Sequence, residues 1–151
     1  MNVNSLVSRR IFCDHPFLQE DHRMKAHLVN PRDGIYKATP DYVHAIKVED
    51  ARCNLFVSGT MGLDAKGDAP PVLEEQLRLI WQNIRCILAE AGMTTDNIVR
   101  LTSYLASREH AEKNSEARLN ALGDRRVPTT AIVATMLDPS WLVEIEVIAM
   151  A

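Results

Sequence analysis

Residues 73–91 constrain the fold more than any other stretch. Leu73, Leu77, Ile80, Trp81, Ile84, Ile87, Leu88 and Ala91 recur at i, i+3 and i+4, and Gly92 stands where a left-handed cap would end a helix. A helix with one apolar stripe must bury it against another layer. The segments on either side supply that layer, because both change to a strand-like pattern. Asn54 to Gly59 precedes the helix as a strand, and a loop over 64–71 with Gly67, Pro70 and Pro71 leads into it. Ile98 to Leu105 follows, with Val99, Leu101, Ser103 and Leu105 on one face and Arg100, Thr102 and Tyr104 on the other. A second, more polar helix runs from Ser107 or Arg108 to Leu122 and is closed by Gly123. Thr129 to Met136 and the terminal run 142–151 complete the chain as strands around a turn at 137–140.

Tyr42 to Val48 alternates as well, and the turn at 49–52 predicts a hairpin between it and the strand at 54–59. The order is then β-β-α-β-α-β-β. It predicts an α+β two-layer domain, with both helices on one face of a mixed sheet and a right-handed crossover at each β-α-β passage. The last strand tests this. Val143, Ile145, Val147 and Ala149 point one way, while Glu144 and Glu146 share the other face with Ile148 and Met150. With Thr102 and Tyr104 beside them, that second face is too apolar for simple solvation, which predicts packing against further copies of the chain. The two carboxylates are read either as an exposed edge or as chemistry, and alternation alone does not choose.

At 151 residues the chain is long enough for one domain with a real core, and 46% hydrophobic and 25% charged residues are ordinary for a globular protein. Residues 1–30 are polar, carry three of the five histidines and hold no sustained period, so they are read as an extension to a domain spanning 31–151. Three cysteines without a CxxC spacing suggest reduced thiols in the cytoplasm. The first residues lack the apolar run of a secretory signal, and no stretch reaches the ~20 apolar residues of a membrane span. A net charge of −3 with scattered Lys and Arg gives no footprint for nucleic acid.

Cys13, His15, His22 and His27 make C-x-H-x6-H-x4-H, which fits no common structural-zinc spacing, so the histidines are read as surface residues and no metal is expected. His110 is read as solvated, and Cys53 and Cys86 as small buried hydrophobes. GxGxxG, GxxxxGK and GxSxG are all absent. Trp81 is read as core and Trp141 as packing or the cover of a pocket mouth. Glu109, Glu112, Lys113, Glu116 and Arg118 are read as a solvated helix face.

Several runs together carry a family resemblance. They are Asn54-Leu55-Phe56-Val57-Ser58-Gly59, Gln76-x6-Asn83-Ile84-x3-Leu88-x2-Ala91-Gly92, Ile98 to Leu105, Asn114, Pro128 and Leu142-Val143-Glu144-Ile145-Glu146-Val147-Ile148-Ala149. From about Tyr42 to Ala151 the chain resembles the RidA (YjgF, L-PSP) family. The resemblance implies a chorismate-mutase-like fold, a homotrimer with a central β-barrel, and small-molecule pockets between subunits. It also implies hydrolysis of reactive enamines and imines, such as 2-aminoacrylate, to a 2-oxo acid and ammonia without a cofactor, although some members are only ligand-binding or regulatory. Glu144 matches the glutamate that orients water. Tyr42, Ser58, Gly59 and Asn114 match pocket positions. The family pattern sets an arginine two residues after the proline to grip a substrate carboxylate, and here that position is Thr130. The ligand is then neutral or cationic, or the cation comes from Arg126 or the extension, or the pocket only binds.

Overall fold

The computed structural model describes residues 24–151. Helix α1, Leu73–Glu90, is the long crossover that the apolar spacing predicts, with Glu74 and Glu75 placed favourably for the helix dipole. Its end is a Schellman cap. Gly92, at φ +70°, donates to the Ala89 carbonyl, and Met93 donates to that of Leu88. Around it lie strands β1 (Lys25–Val29), β2 (Ala45–Glu49), β3 (Asn54–Met61), β4 (Ile98–Leu105), β5 (Thr129–Val133) and β6 (Val143–Met150), with α2 at Ala111–Leu122.

The main sheet has the order β3-β6-β4-β5. β6 runs antiparallel to both β3 and β4, and β5 is parallel to β4. β3 and β4 therefore run the same way with β6 between them, joined by α1, while α2 joins the adjacent parallel pair β4 and β5. The fold is the expected α+β layer of two helices on a mixed sheet. Ile80, Ile84 and Leu88 of α1 meet Leu101, Ile145 and Val147 of the sheet in one core.

The hairpin expected between β2 and β3 does not form. β2 pairs with β1 in a separate two-stranded ribbon, so part of the tract read as an extension is strand. The connecting segment is captured elsewhere. Arg52 and Cys53 both donate to the Ala151 carbonyl, Ala151 returns a bond to Cys53, and Asp50 turns the chain at φ +60°. These bonds extend the β3–β6 ladder past the strand ends and leave the outer edge of β3 without a strand partner among the described residues. β5 stops at Val133 rather than Met136. The bond from Ala134 N–H reaches Leu105, the last residue of β4, and no ladder remains beyond it.

Three smaller readings change. Arg118, expected on a solvated face, is 3% exposed. His110 is not free in solvent: its Nδ1–H donates to the Leu142 carbonyl at 3.0 Å. Cys86 is exposed rather than buried. Of the histidine-rich tract, Cys13, His15 and His22 lie outside the described residues, and His27 sits 3.1 Å from the Glu49 carboxylate.

Candidate active site

The register of β3 against β6 slips between Val57, opposite Val147, and Thr60, opposite Ile145. One extra residue therefore bulges at Ser58–Gly59, a feature that re-aims backbone groups and recurs beside functional sites. Glu144 of β6 lies directly over this bulge. A Cβ on Gly59 would stand 1.6 Å from the Glu144 Oε1 atom, so only glycine leaves room for the carboxylate. Glu144 is half-buried, and no hydrogen bond or ion pair holds it among the described residues.

Two amides of α1, the buried Gln76 and the half-buried Asn83, fix both walls of this contact. Gln76, 1% exposed, donates through Nε2 to the carbonyls of Pro70 and Ser140 at 2.8 Å and accepts the Leu142 N–H at 2.9 Å. That sets the entry into β6, two residues ahead of Glu144. Asn83 donates to the carbonyls of Met61 and Leu63, which holds the far end of β3. Gly62 presses on the helix so closely that a Cβ there would lie 2.4 Å from the Gln76 Cα. The Leu142 carbonyl is held in turn by Ala106 N–H and His110. The carboxylate is loose only at its tip.

The register also names its neighbours. Across the sheet Glu144 stands opposite Met61 on one side and Tyr104 on the other. Two residues along, Glu146 faces Thr102, which pairs onward with Thr130. Partial burial pushes the Tyr104 phenol above its ordinary value, and the charges of Glu146 and then Glu144 push it further, together with its hydrogen bond to Glu146. A shallow depression of about 150 Å³ lies farther along the same face, lined by Phe56, Arg100, Thr102, Glu146 and Ile148.

The residues singled out in the sequence fall into separate groups. Glu144, Ser58 and Gly59 come together at the bulge, with Ser58 exposed. Thr130 is exposed on the same face but in the row of Glu146, about 7 Å along the strands from the row of Glu144. Tyr42 is half-buried beside His44, ring centroids 5.7 Å apart, and its phenol is raised by lost hydration and then by Tyr36. Asn114 is buried in α2 with no partner for its Oδ1 atom. One turn on, Arg118 of α2 grips the residue before Tyr42, meeting the Asp41 carboxylate at 2.7 Å and its carbonyl at 2.6 Å. Tyr42 and Asn114 thus share a neighbourhood that no hydrogen bond, ion pair or ring contact joins to Glu144 among the described residues. Trp141 is half-buried in the turn ahead of β6, held by its N–H to the Asp138 carbonyl. Arg126 is spent on the carbonyls of Pro40, Gly123 and Arg125. Among the described residues no three His, Cys, Asp or Glu side chains gather as a metal site. Tyr104 was the residue missed. Alternation placed it on the right face, but only the strand register sets it opposite Glu144.

Comparison with known proteins agrees with this architecture. The family model described as Endoribonuclease L-PSP matches residues 35–151. A RutC family protein of Pyrococcus abyssi is 31% identical over 114 residues, 72% of this chain and 84% of that protein. Among solved structures, YyfB of Yersinia pestis, from the conserved Rid protein family, superposes with a TM-score of 0.72 at 22% identity, covering 83% of this chain and 98% of its own. RidA from an Antarctic Psychrobacter gives 0.62 at 23% identity, covering 76% and 91%. The chain belongs to the RidA/YjgF/L-PSP family.

Proposed function

We propose that this protein is an enamine/imine deaminase acting on a small metabolite in the cytoplasm, with Glu144 as its catalytic residue. The observation that carries the reading is the half-buried Glu144 carboxylate, rigidly mounted at both ends of its strand contacts yet free at the tip, over the Gly59 bulge. Imine hydrolysis needs little more. Water attacks the C=N carbon, its protons pass to nitrogen, and the C–N bond breaks to release ammonia and a carbonyl. A carboxylate that accepts a hydrogen bond from that water both orients it and takes up its proton. The step needs no oxidant and no cofactor.

The pocket is completed between copies in a homotrimer. Two observations support this: the helix-free face exposes Phe56 at 73% and Ile132 at 47%, and the Tyr42–Asn114 group stands apart from Glu144 within one chain. A neighbouring copy can bring the two groups together, with residues 31–151 as the deaminase domain and 1–30 as its extension. The ribonuclease activity in the family description fits this face poorly, since Glu144 and Glu146 oppose a phosphate backbone.

The test supplies imines formed in place by amino-acid and amine oxidases and follows ammonia release, wild type against Glu144→Ala. Acceleration that Glu144→Ala removes is the expected result, and no acceleration with any imine would discard the enzyme. Light scattering should give three chain masses. Thr130 favours a second reading, a non-catalytic ligand-binding trimer, and binding without turnover in that assay would select it.

A further inference from the structure

The strand register turns the surroundings of Glu144 into a short census. Its own row across the sheet is Met61, Glu144, Tyr104 and Ile132, and the next is Glu146, Thr102 and Thr130. These rows hold two carboxylates, three hydroxyls and apolar side chains. The guanidinium on the same face of β4, Arg100, stands opposite Ile148 in the row beyond Glu146, where it lines the depression with Thr102 and Glu146 and partly offsets the carboxylates' effect on the Tyr104 phenol. Arg126 is committed to backbone carbonyls and Arg118 to Asp41. A ligand carboxylate placed beside Glu144 would add a third negative charge with no cation of the described residues in either row and with Arg100 two rows away, beyond Glu146, an arrangement that costs more as water is excluded.

Tyr104 has the opposite character. It is the cross-strand partner of Glu144, so their Cβ atoms stand about 4.5–5.5 Å apart. Its hydroxyl donates to Glu146 within the chain, and a ligand acceptor seated beside Glu144 competes for that same proton. A phenol donor beside a carboxylate acceptor suits a neutral polar group, or an iminium nitrogen that the two glutamates attract.

Resting on the deaminase reading, we infer that Tyr104 contacts the substrate and that the site selects imines without a carboxylate, those derived from primary amines, over 2-imino acids. The reaction that must supply such a substrate is the two-electron oxidation of a primary amine, R–CH2–NH2 to R–CH=NH, by a flavin amine oxidase with dioxygen as acceptor. Hydrolysis then joins the oxygen of water to carbon, carries both water protons to nitrogen, and releases an aldehyde and ammonia.

A matched pair tests the charge selection. Benzylamine and a flavin amine oxidase generate benzaldimine, while phenylglycine and an amino-acid oxidase generate the same imine bearing a carboxylate. With the full chain, kcat/KM for the first should exceed that for the second at least about tenfold. Tyr104→Phe, which keeps the ring and its packing, should lower turnover of benzaldimine by about 10–100-fold. Thr130→Arg should raise turnover of the carboxylate-bearing imine. Equal or better use of the 2-imino acid by wild type, or an unchanged Tyr104→Phe, overturns the inference and leaves the deaminase standing. If neither imine is hydrolysed, the deaminase falls, and calorimetric binding of benzamide against benzoylformate decides the charge selection alone. Tighter binding of benzamide that Tyr104→Phe weakens supports it; equal or tighter binding of benzoylformate, or binding of neither, overturns it.

Discussion

The two faces of the four-stranded sheet are made from the same strands and obey different rules. On the helix side of β6, Val143, Ile145 and Ala149 are 0% exposed, and each substitution there touches α1 or its neighbours. On the other side the same strand presents Glu144, Glu146, Ile148 and Met150, all half-buried, and β3 adds the exposed Phe56. One face has finished its packing within the chain. The other keeps exposed apolar area and two carboxylates without an ion-pair partner among the described residues side by side.

The largest expected effect breaks the finished face. Ile145→Ala opens a cavity between β6 and α1 that close packing cannot refill, and should cost about 2–5 kcal/mol in urea unfolding. A loss under 1 kcal/mol would show that the helix layer does not hold the sheet as described. Gly59→Ala attacks the contact on the opposite face. The new methyl needs the space of the Glu144 Oε1 atom. The carboxylate must move by an ångström or more, and deaminase turnover should fall about a hundredfold with the fold retained by circular dichroism. Near-normal turnover would mean that Glu144 works in some other position, or not at all.

What the sequence made legible follows the same division. α1 and β6 were readable because one face of each is fully buried, and burial on one side is what produces a period. β1 was invisible for the converse reason. All five of its residues are exposed, so neither face of the ribbon imposes an apolar alternation. The mistaken hairpin has a different cause, since residues 49–52 carry adequate turn chemistry and the strand that pairs with β2 instead, β1, has no period to announce it. At the candidate site, Glu144 was singled out by its motif and Tyr104 was not, because a cross-strand neighbour is a fact of register. Arg118 was misread because a polar helix pattern does not reveal which of its charges meets a partner from Asp41, 77 residues earlier.

A smaller change sharpens the view that the open face serves association and not chain stability. Phe56→Glu removes exposed aromatic area from a position with no role in the helix-side core. Chain stability in urea should then move by no more than about 0.5 kcal/mol. Light scattering, in contrast, should fall to one chain mass, as a carboxylate is forced into the contact between copies. A trimer that survives Phe56→Glu unchanged would place the interface elsewhere.

The mildest effect concerns the clamp that carries Tyr42. The Asp41 carboxyl sits below its ordinary 3.8, first because the Thr39 hydroxyl donates to it at 2.5 Å and then because Arg118 meets it, with partial burial opposing both. A carboxyl depressed by folding contributes stability above its unfolded value and loses it as pH falls through the folded one. The window therefore lies below about pH 4, and no change is expected between pH 6 and 8 from this group. Asp41→Asn should lower Tm by about 2–4 °C at pH 7, the scale of a half-exposed pair, with the gap to wild type closing only as pH falls below about 4. A gap that stays constant over that range would mean that Asp41 acts through shape and not charge. Because Arg118 holds both the carboxylate and the carbonyl of the residue before Tyr42, on the proposed function the same variant should raise KM more than it lowers kcat, since it loosens the segment that carries Tyr42 and leaves the Glu144 contact untouched.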